Sequence, residues 1–239
     1  MKIKGVCGFS PLGFVPAAEQ DMCLPQSKFE ELAARMAKVV PLRFFNNYPM
    51  GECWAIREFW PRIHIPNNPT APDRFKSRDE HVLVNYIQHQ RTTWALMAAV
   101  ENQDVDIWVW LDTGVLKQGA WRNEQVEEKH IAGLFEAIYK NPPKDTIPFP
   151  GIRERYPISD FDNHWRFCGS VHIWPKNRLF AIDAHYKDQL RRFVQRTQTM
   201  PGDLPIWGHL EASDVLPFKF YQGEYGYTQF TGYPTEEPL

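Results

Sequence analysis

The chain has 239 residues, 43% hydrophobic and 23% charged, within the globular range and long enough to bury a core without disulfide or metal staples. Its 27 basic and 29 acidic side chains leave a net charge of −2, so it lacks the basic excess with which proteins grip a nucleic-acid backbone; Lys187–Arg196 is only a local basic stretch. The cysteines Cys7, Cys23, Cys53 and Cys168 form no CxxC pair and read as reduced, mostly buried thiols. No run of 18 apolar residues or signal peptide is present, which makes the cytosol the expected compartment.

Lys2–Phe9 reads as a first strand, ending in a loop punctuated by Pro11 and Gly13. Ser27 and Glu30 have capping-box spacing ahead of a helix over Lys28–Val39, with Phe29, Leu32, Ala33 and Met36 on one face. Pro41–Asn46 reads as a second strand, followed by a Pro- and Asn-rich loop to Arg74. Ser77, with Glu80 three residues on, opens a long helix expected to run to about Asn102. Its stripe is apolar except for Arg91, which is placed where the helix skirts a site.

Val105–Leu111 is a near-continuous apolar run of strand length, suited to a central strand buried on both faces, and Asp112-Thr113-Gly114 follows at once. A helix is expected over Asn123–Lys140, a Pro-rich loop over Asn141–Ile158, a strand over Arg166–Trp174 and a helix over Asp183–Thr197. Residues 200–239 form an aromatic segment that packs on a site or closes over it. The whole is expected to be a single α/β domain with a mixed, mostly parallel central sheet flanked by helices.

The chemistry centres on Asp112. An acid at the carboxyl end of a central strand stands where open α/β sheets bind ligands, and its oxygens suit Mg²⁺ or Mn²⁺. The alternative is that Asp112 caps the next turn. In an extended segment His209 and Glu211, two apart, share a face on which either could take a proton from a hydroxyl; they could equally be a surface pair. His81, His89, His164, Asp162 and His172 leave a metal-dependent hydrolase or phosphoesterase open, although no HExxH is present. Neither P-loop nor dinucleotide-binding glycine pattern occurs.

Helix, hydrophobic strand and Trp110-Leu111-Asp112-Thr113-Gly114 together resemble the central segment of A-type-fold glycosyltransferases, the nucleotide-diphospho-sugar transferases. In that family a strand ends in an acidic motif, often Asp-x-Asp, that holds a metal and the donor diphosphate. Asp112 matches one acid, and Gly114 stands where the second is common.

The resemblance, in order of elements over about residues 1–225, implies a nucleotide-sugar donor and an unknown hydroxyl acceptor. It places Gly8, Phe9 and Ser10 against the base, and Arg74, Lys76 and Arg91 towards the diphosphate. Asp112 with Mn²⁺ or Mg²⁺ would hold the diphosphate, Gly169 would border the acceptor, and Glu211 or His209 would act on it. A non-catalytic relative that binds nucleotide or glycan is the alternative that the missing second acid favours, and a structural protein with a Pro-rich partner surface is a further one.

Overall fold

A computed structural model describes residues 1–9, 26–60, 85–117, 125–151, 169–223 and 226–235. Strand β1 (Ile3–Gly8) is followed by helix α1 (Gln26–Ala37), strand β2 (Leu42–Phe45), a 3-10 turn (Met50–Glu52), helix α2 (Trp54–Phe59) and helix α3 (Arg91–Glu101). Strand β3 (Ile107–Leu111) leads through a 3-10 turn (Thr113–Lys117) to helix α4 (Glu128–Lys140) and strand β4 (Ile147–Gly151). Strand β5 (Val171–Pro175), helix α5 (Lys176–Thr197), helix α6 (Asp203–Ala212), strand β6 (Phe218–Gln222) and helix α7 (Thr228–Thr231) complete the order.

The four-stranded sheet runs β2-β1-β3-β5. β1 is parallel to β2 and to β3, and β3 is antiparallel to β5, so the sheet is mixed and mostly parallel. β3 is buried throughout because both its neighbours and both its faces are covered. Its alternation serves two cores. Trp108 and Trp110 join Val6, Trp94, Trp174, Leu190 and Trp207 on the side of α2, α3, α5 and α6. Ile107, Val109 and Leu111 join Cys7, Phe29, Met36, Leu134 and Phe230 on the side of α1, α4 and α7. The long helices of the two sides thus sandwich the sheet.

α1 buries Phe29, Leu32, Ala33 and Met36, the expected face. Its expected capping box is not formed. Ser27 lies inside the helix, and the Glu30 carboxylate instead accepts from Asn46 Nδ2 at 2.8 Å and Gln26 Nε2 at 3.0 Å. These two bonds, Asn46 first, hold its pKa below the usual carboxylate range.

Four further expectations are corrected. The helix awaited from Ser77 to Asn102 is interrupted by a turn at 89–90, where His89 and Gln90 are buried and spend their side chains on distant partners; Ser77 and Glu80 lie outside the described residues. Residues 169–170 form a turn and the strand starts at Val171. Helix α5 starts seven positions earlier than Asp183, directly after Pro175, whose fixed φ suits a helix entry.

The Pro-rich stretch after Asn141 contains a strand, β4, paired in parallel with β6. Ile147 N–H donates to Pro217 O and Gly151 O accepts from Gly223 N–H, so odd-numbered positions face β6. Pro148 and Pro150 turn their nitrogens the other way, where this ladder needs no donor. In the tail, Phe218 packs against Phe149 and Trp207, whereas Phe220 is exposed. Tyr225 lies outside the described residues.

Candidate functional site

From β1 the chain passes to β2 on one side, then crosses back to β3 on the other. α1 lies on one face of the sheet and α3 on the opposite one. Such a reversal opens a crevice between the carboxyl ends of the two strands from which the connections diverge, here β1 and β3. Gly8 and Phe9 stand at one lip and Asp112 at the other.

At the β1 lip, Gly8 makes room for an indole. A Cβ there would lie 2.6 Å from Trp94 Cδ2, so only glycine fits beneath the ring. Trp94 stacks on Trp110 at 5.9 Å between centroids. Phe9 packs on Phe29 at 4.6 Å, and its backbone links Phe45 O to Tyr48 N–H. Ser10, Arg74 and Lys76 lie outside the described residues. Gly114 falls in the 3-10 turn, with open space where a Cβ would point.

At the β3 lip, the backbone of Asp112 is bound on both sides: its N–H donates to Ser170 O, and its carbonyl accepts from Val115 N–H to start the turn. The side chain does not cap that turn. Oδ1 accepts Trp110 Nε1–H at 2.9 Å, and Arg91 Nη2 lies 3.1 Å from Oδ1 and 3.2 Å from Oδ2. The Asp112 side chain keeps 27% of its surface exposed, against 10% for Arg91.

Arg91 is therefore a hub between three elements. Its Nη1 donates to Gly169 O at 2.8 Å and to the carboxylate of Asp203, at the start of α6. Burial pushes the guanidinium pKa down, but Asp112 and then Asp203 outweigh it, and the net shift is upward. Asp203 is pushed up, first by burial and further by Asp112, against the pull of Arg91. Gly169 thus takes part through its carbonyl. A Cβ there would lie 3.1 Å from Leu204 Cδ2 and 3.4 Å from Arg91 Nη1.

Two buried histidines brace this hub. His172 Nε2 donates to Gly169 O at 3.0 Å while its ring sits among Phe149, Trp174 and Trp207. Burial, and then Arg91, hold its pKa well below the ordinary value, so the ring is neutral. His89 accepts from Tyr186 OH at Nδ1, 2.8 Å away, and donates from Nε2 to Pro201 O at 3.0 Å. Burial brings its pKa down to about 3, with Arg91 adding to the fall and the Pro201 bond opposing it. His89 thereby fixes the segment that delivers Asp203. His81, His164 and Asp162 lie outside the described residues.

His209 and Glu211 do not lie in an extended segment. Both belong to α6, where residues two apart point in nearly opposite directions. They follow Asp203 by six and eight positions, roughly 9 and 12 Å along the helix axis. His209 packs against Phe193 of α5. The structure gathers Arg91, Asp112, Gly169 and Asp203, and leaves this pair at the other end of α6.

Asp203 was not among the expected site residues; His172 was expected only as a candidate metal ligand, and Trp110 only as part of the strand-end segment. Asp203 had one local signal: Pro201-Gly202 marks a turn, and an acid directly after it suits the first turn of a helix.

These residues do not fit a Mg²⁺ or Mn²⁺ centre. Both oxygens of Asp112 face a guanidinium, Gly114 offers no second carboxylate, and no group of three His, Cys, Asp or Glu placed to hold a metal occurs among the described residues. No described helix is long and apolar enough to cross a membrane.

No protein-family model and no curated protein matches the chain. Among solved structures, it is similar to a glycosyltransferase involved in the glycosylation of the major capsid of PBCV-1. The match has 11% sequence identity and a TM-score of 0.49, over 93% of this chain and 83% of that one.

Proposed function

We propose that the chain is a glycosyltransferase that moves a sugar from a nucleotide-sugar donor to a hydroxyl acceptor at the crevice between the carboxyl ends of β1 and β3. One observation carries this reading: the strand order reverses between β1 and β3, and a partly exposed carboxylate, Asp112, stands at the end of β3. The resemblance of the Trp110–Gly114 segment to the strand-end acid of A-type-fold glycosyltransferases gives that crevice its substrate class.

In this reading the Asp112 carboxylate accepts hydrogen bonds from donor hydroxyls, while Arg91 fixes its orientation. The acceptor oxygen bonds to the anomeric carbon as the bond from that carbon to the diphosphate oxygen breaks. The nucleoside diphosphate leaves with the electron pair, and the acceptor proton passes to a base. Glu211 or His209 is the proposed base, one of the two, since α6 turns them in nearly opposite directions, and it reaches the acceptor only where the acceptor extends along α6 away from Asp203.

A thermal-shift screen with nucleoside diphosphates tests the donor. Ligand at about 100 times its dissociation constant adds roughly 2.7 kcal/mol of stability. A shift with one nucleotide that weakens in Asp112→Asn is expected; no shift with any would overturn the reading. A second reading, a nucleotide- or glycan-binding protein without turnover, is favoured by Gly114 in the place of a second acid. Binding without transfer or hydrolysis of the matching nucleotide-sugar would select it.

A further inference from the structure

Asp112 and Asp203 come from the end of β3 and the start of α6, and one guanidinium touches both. A divalent cation on Asp112 needs oxygen ligands at roughly 2.1 Å in a near-octahedral shell. Here both carboxylate oxygens are 3.1–3.2 Å from Arg91 Nη2, and Oδ1 also holds the Trp110 indole N–H. A cation placed between Asp112 and Asp203 would have to displace that positive group or sit against it.

Among the described residues, three contacts obstruct displacement. Arg91 is buried at the first position of α3, its Nη1 is also bound to Gly169 O, and Asp203 is 6% exposed. Moving the guanidinium away would leave a buried carboxylate without its counter-charge, a change far more costly than loss of a surface pair. The neighbouring residues reinforce the arrangement. His172 holds the Gly169 carbonyl in place, and Tyr186 with His89 holds Pro201, two residues before Asp203.

We propose that the Arg91 guanidinium occupies the place of a divalent cation between Asp112 and Asp203, so that the chain binds its ligand without a metal at Asp112. Arg91 is a positioning residue here: it orients both carboxylates and supplies a fixed positive charge that no chelator removes. The part that concerns the donor rests on the transferase reading; the part that concerns the metal does not.

The test is Mn²⁺ binding followed by electron paramagnetic resonance, on the whole chain and on Asp112→Asn, which keeps the shape of the side chain and an oxygen for the Trp110 N–H. Mn²⁺ alone is the first probe. The nucleoside diphosphate panel, with Mn²⁺ and with EDTA, is the second. The expected result is Mn²⁺ affinity that differs by less than about fivefold between the two proteins, and nucleotide affinity that changes by less than about fivefold on chelation. Mn²⁺ uptake, measured without nucleotide, that falls by more than this in Asp112→Asn would overturn the proposal, as would a larger loss of nucleotide affinity on chelation. If no nucleotide binds, the transferase reading fails, while the Mn²⁺ comparison still decides the role of Arg91.

Discussion

Arg91 Nη2 lies 3.1 Å from Asp112 Oδ1, and this contact joins the first residue of α3 to the residue that follows β3. The bond closes a path that continues through Arg91 Nη1 to Asp203, so three separate elements meet on one side chain.

Arg91→Met is expected to destabilise the chain by about 3–5 kcal/mol, because it strands the buried Asp203 carboxylate. Arg91→Met combined with Asp203→Leu should recover a large part of that loss, since the uncompensated charge is then gone. Urea denaturation of wild type, both single variants and the double variant measures the coupling. Additive losses would show that the pair is not energetically linked.

Gly8→Ala and Gly114→Ala separate packing from ligand contact at the two lips of the crevice. The methyl group at Gly8 runs into the Trp94 indole, and overpacking of this kind costs about 1–3 kcal/mol. At Gly114 a methyl group meets nothing within 4 Å, so stability should stay within about 0.5 kcal/mol. Denaturation midpoints of the two variants check this; equal losses would contradict the assigned surroundings.

Acid should weaken the fold through His89 and His172. Both are held neutral in the folded state, His89 down to about 3, whereas an unfolded histidine takes up a proton near 6.5. Above that value the unfolded state binds no extra proton and the full stability is present. As pH falls below 6.5 the unfolded chain gains protons that the folded chain refuses, and stability drops by about 1 kcal/mol per pH unit for each ring. Asp203, with its pKa raised by burial, acts in the opposite sense as the pH falls through its folded value. Denaturation between pH 7.5 and 5 should show this slope, and His172→Gln should reduce it by about half. An unchanged slope would show that His172 does not contribute.

Donor binding should be indifferent to the far end of α6. Glu211→Gln and His209→Ala are expected to leave nucleotide affinity within about twofold, while Asp112→Asn lowers it by about tenfold. Titration calorimetry with the nucleotide found in the thermal-shift screen measures all three. A large loss in Glu211→Gln would place the donor along α6 instead.

β3 and the acid at its end were legible in the sequence because the signal is local: an apolar run of strand length, then a polar turn. The amphipathic face of α1 was legible for the same reason. α6 was not, since Pro205, Ile206, Trp207 and Leu210 are all buried around it and the residues of Asp203–Ala212 show no one-sided stripe. The break before Arg91 was hidden because its cause is distant: Gln90 Oε1 accepts from Trp54 N–H, and His89 reaches Pro201. Asp203 stands 112 positions from the arginine it pairs with, a relationship that no periodicity encodes.

The alternating prolines of β4 have a consequence beyond that strand. β4 runs beside β5, the last strand of the four-stranded sheet. Its outward backbone edge offers carbonyls at Pro148 and Pro150 but no N–H, so a regular ladder to β5 would lack every second donor. The prolines act as an insulating seam: they keep β4 and β6 a separate two-stranded layer and set the width of the main sheet at β5.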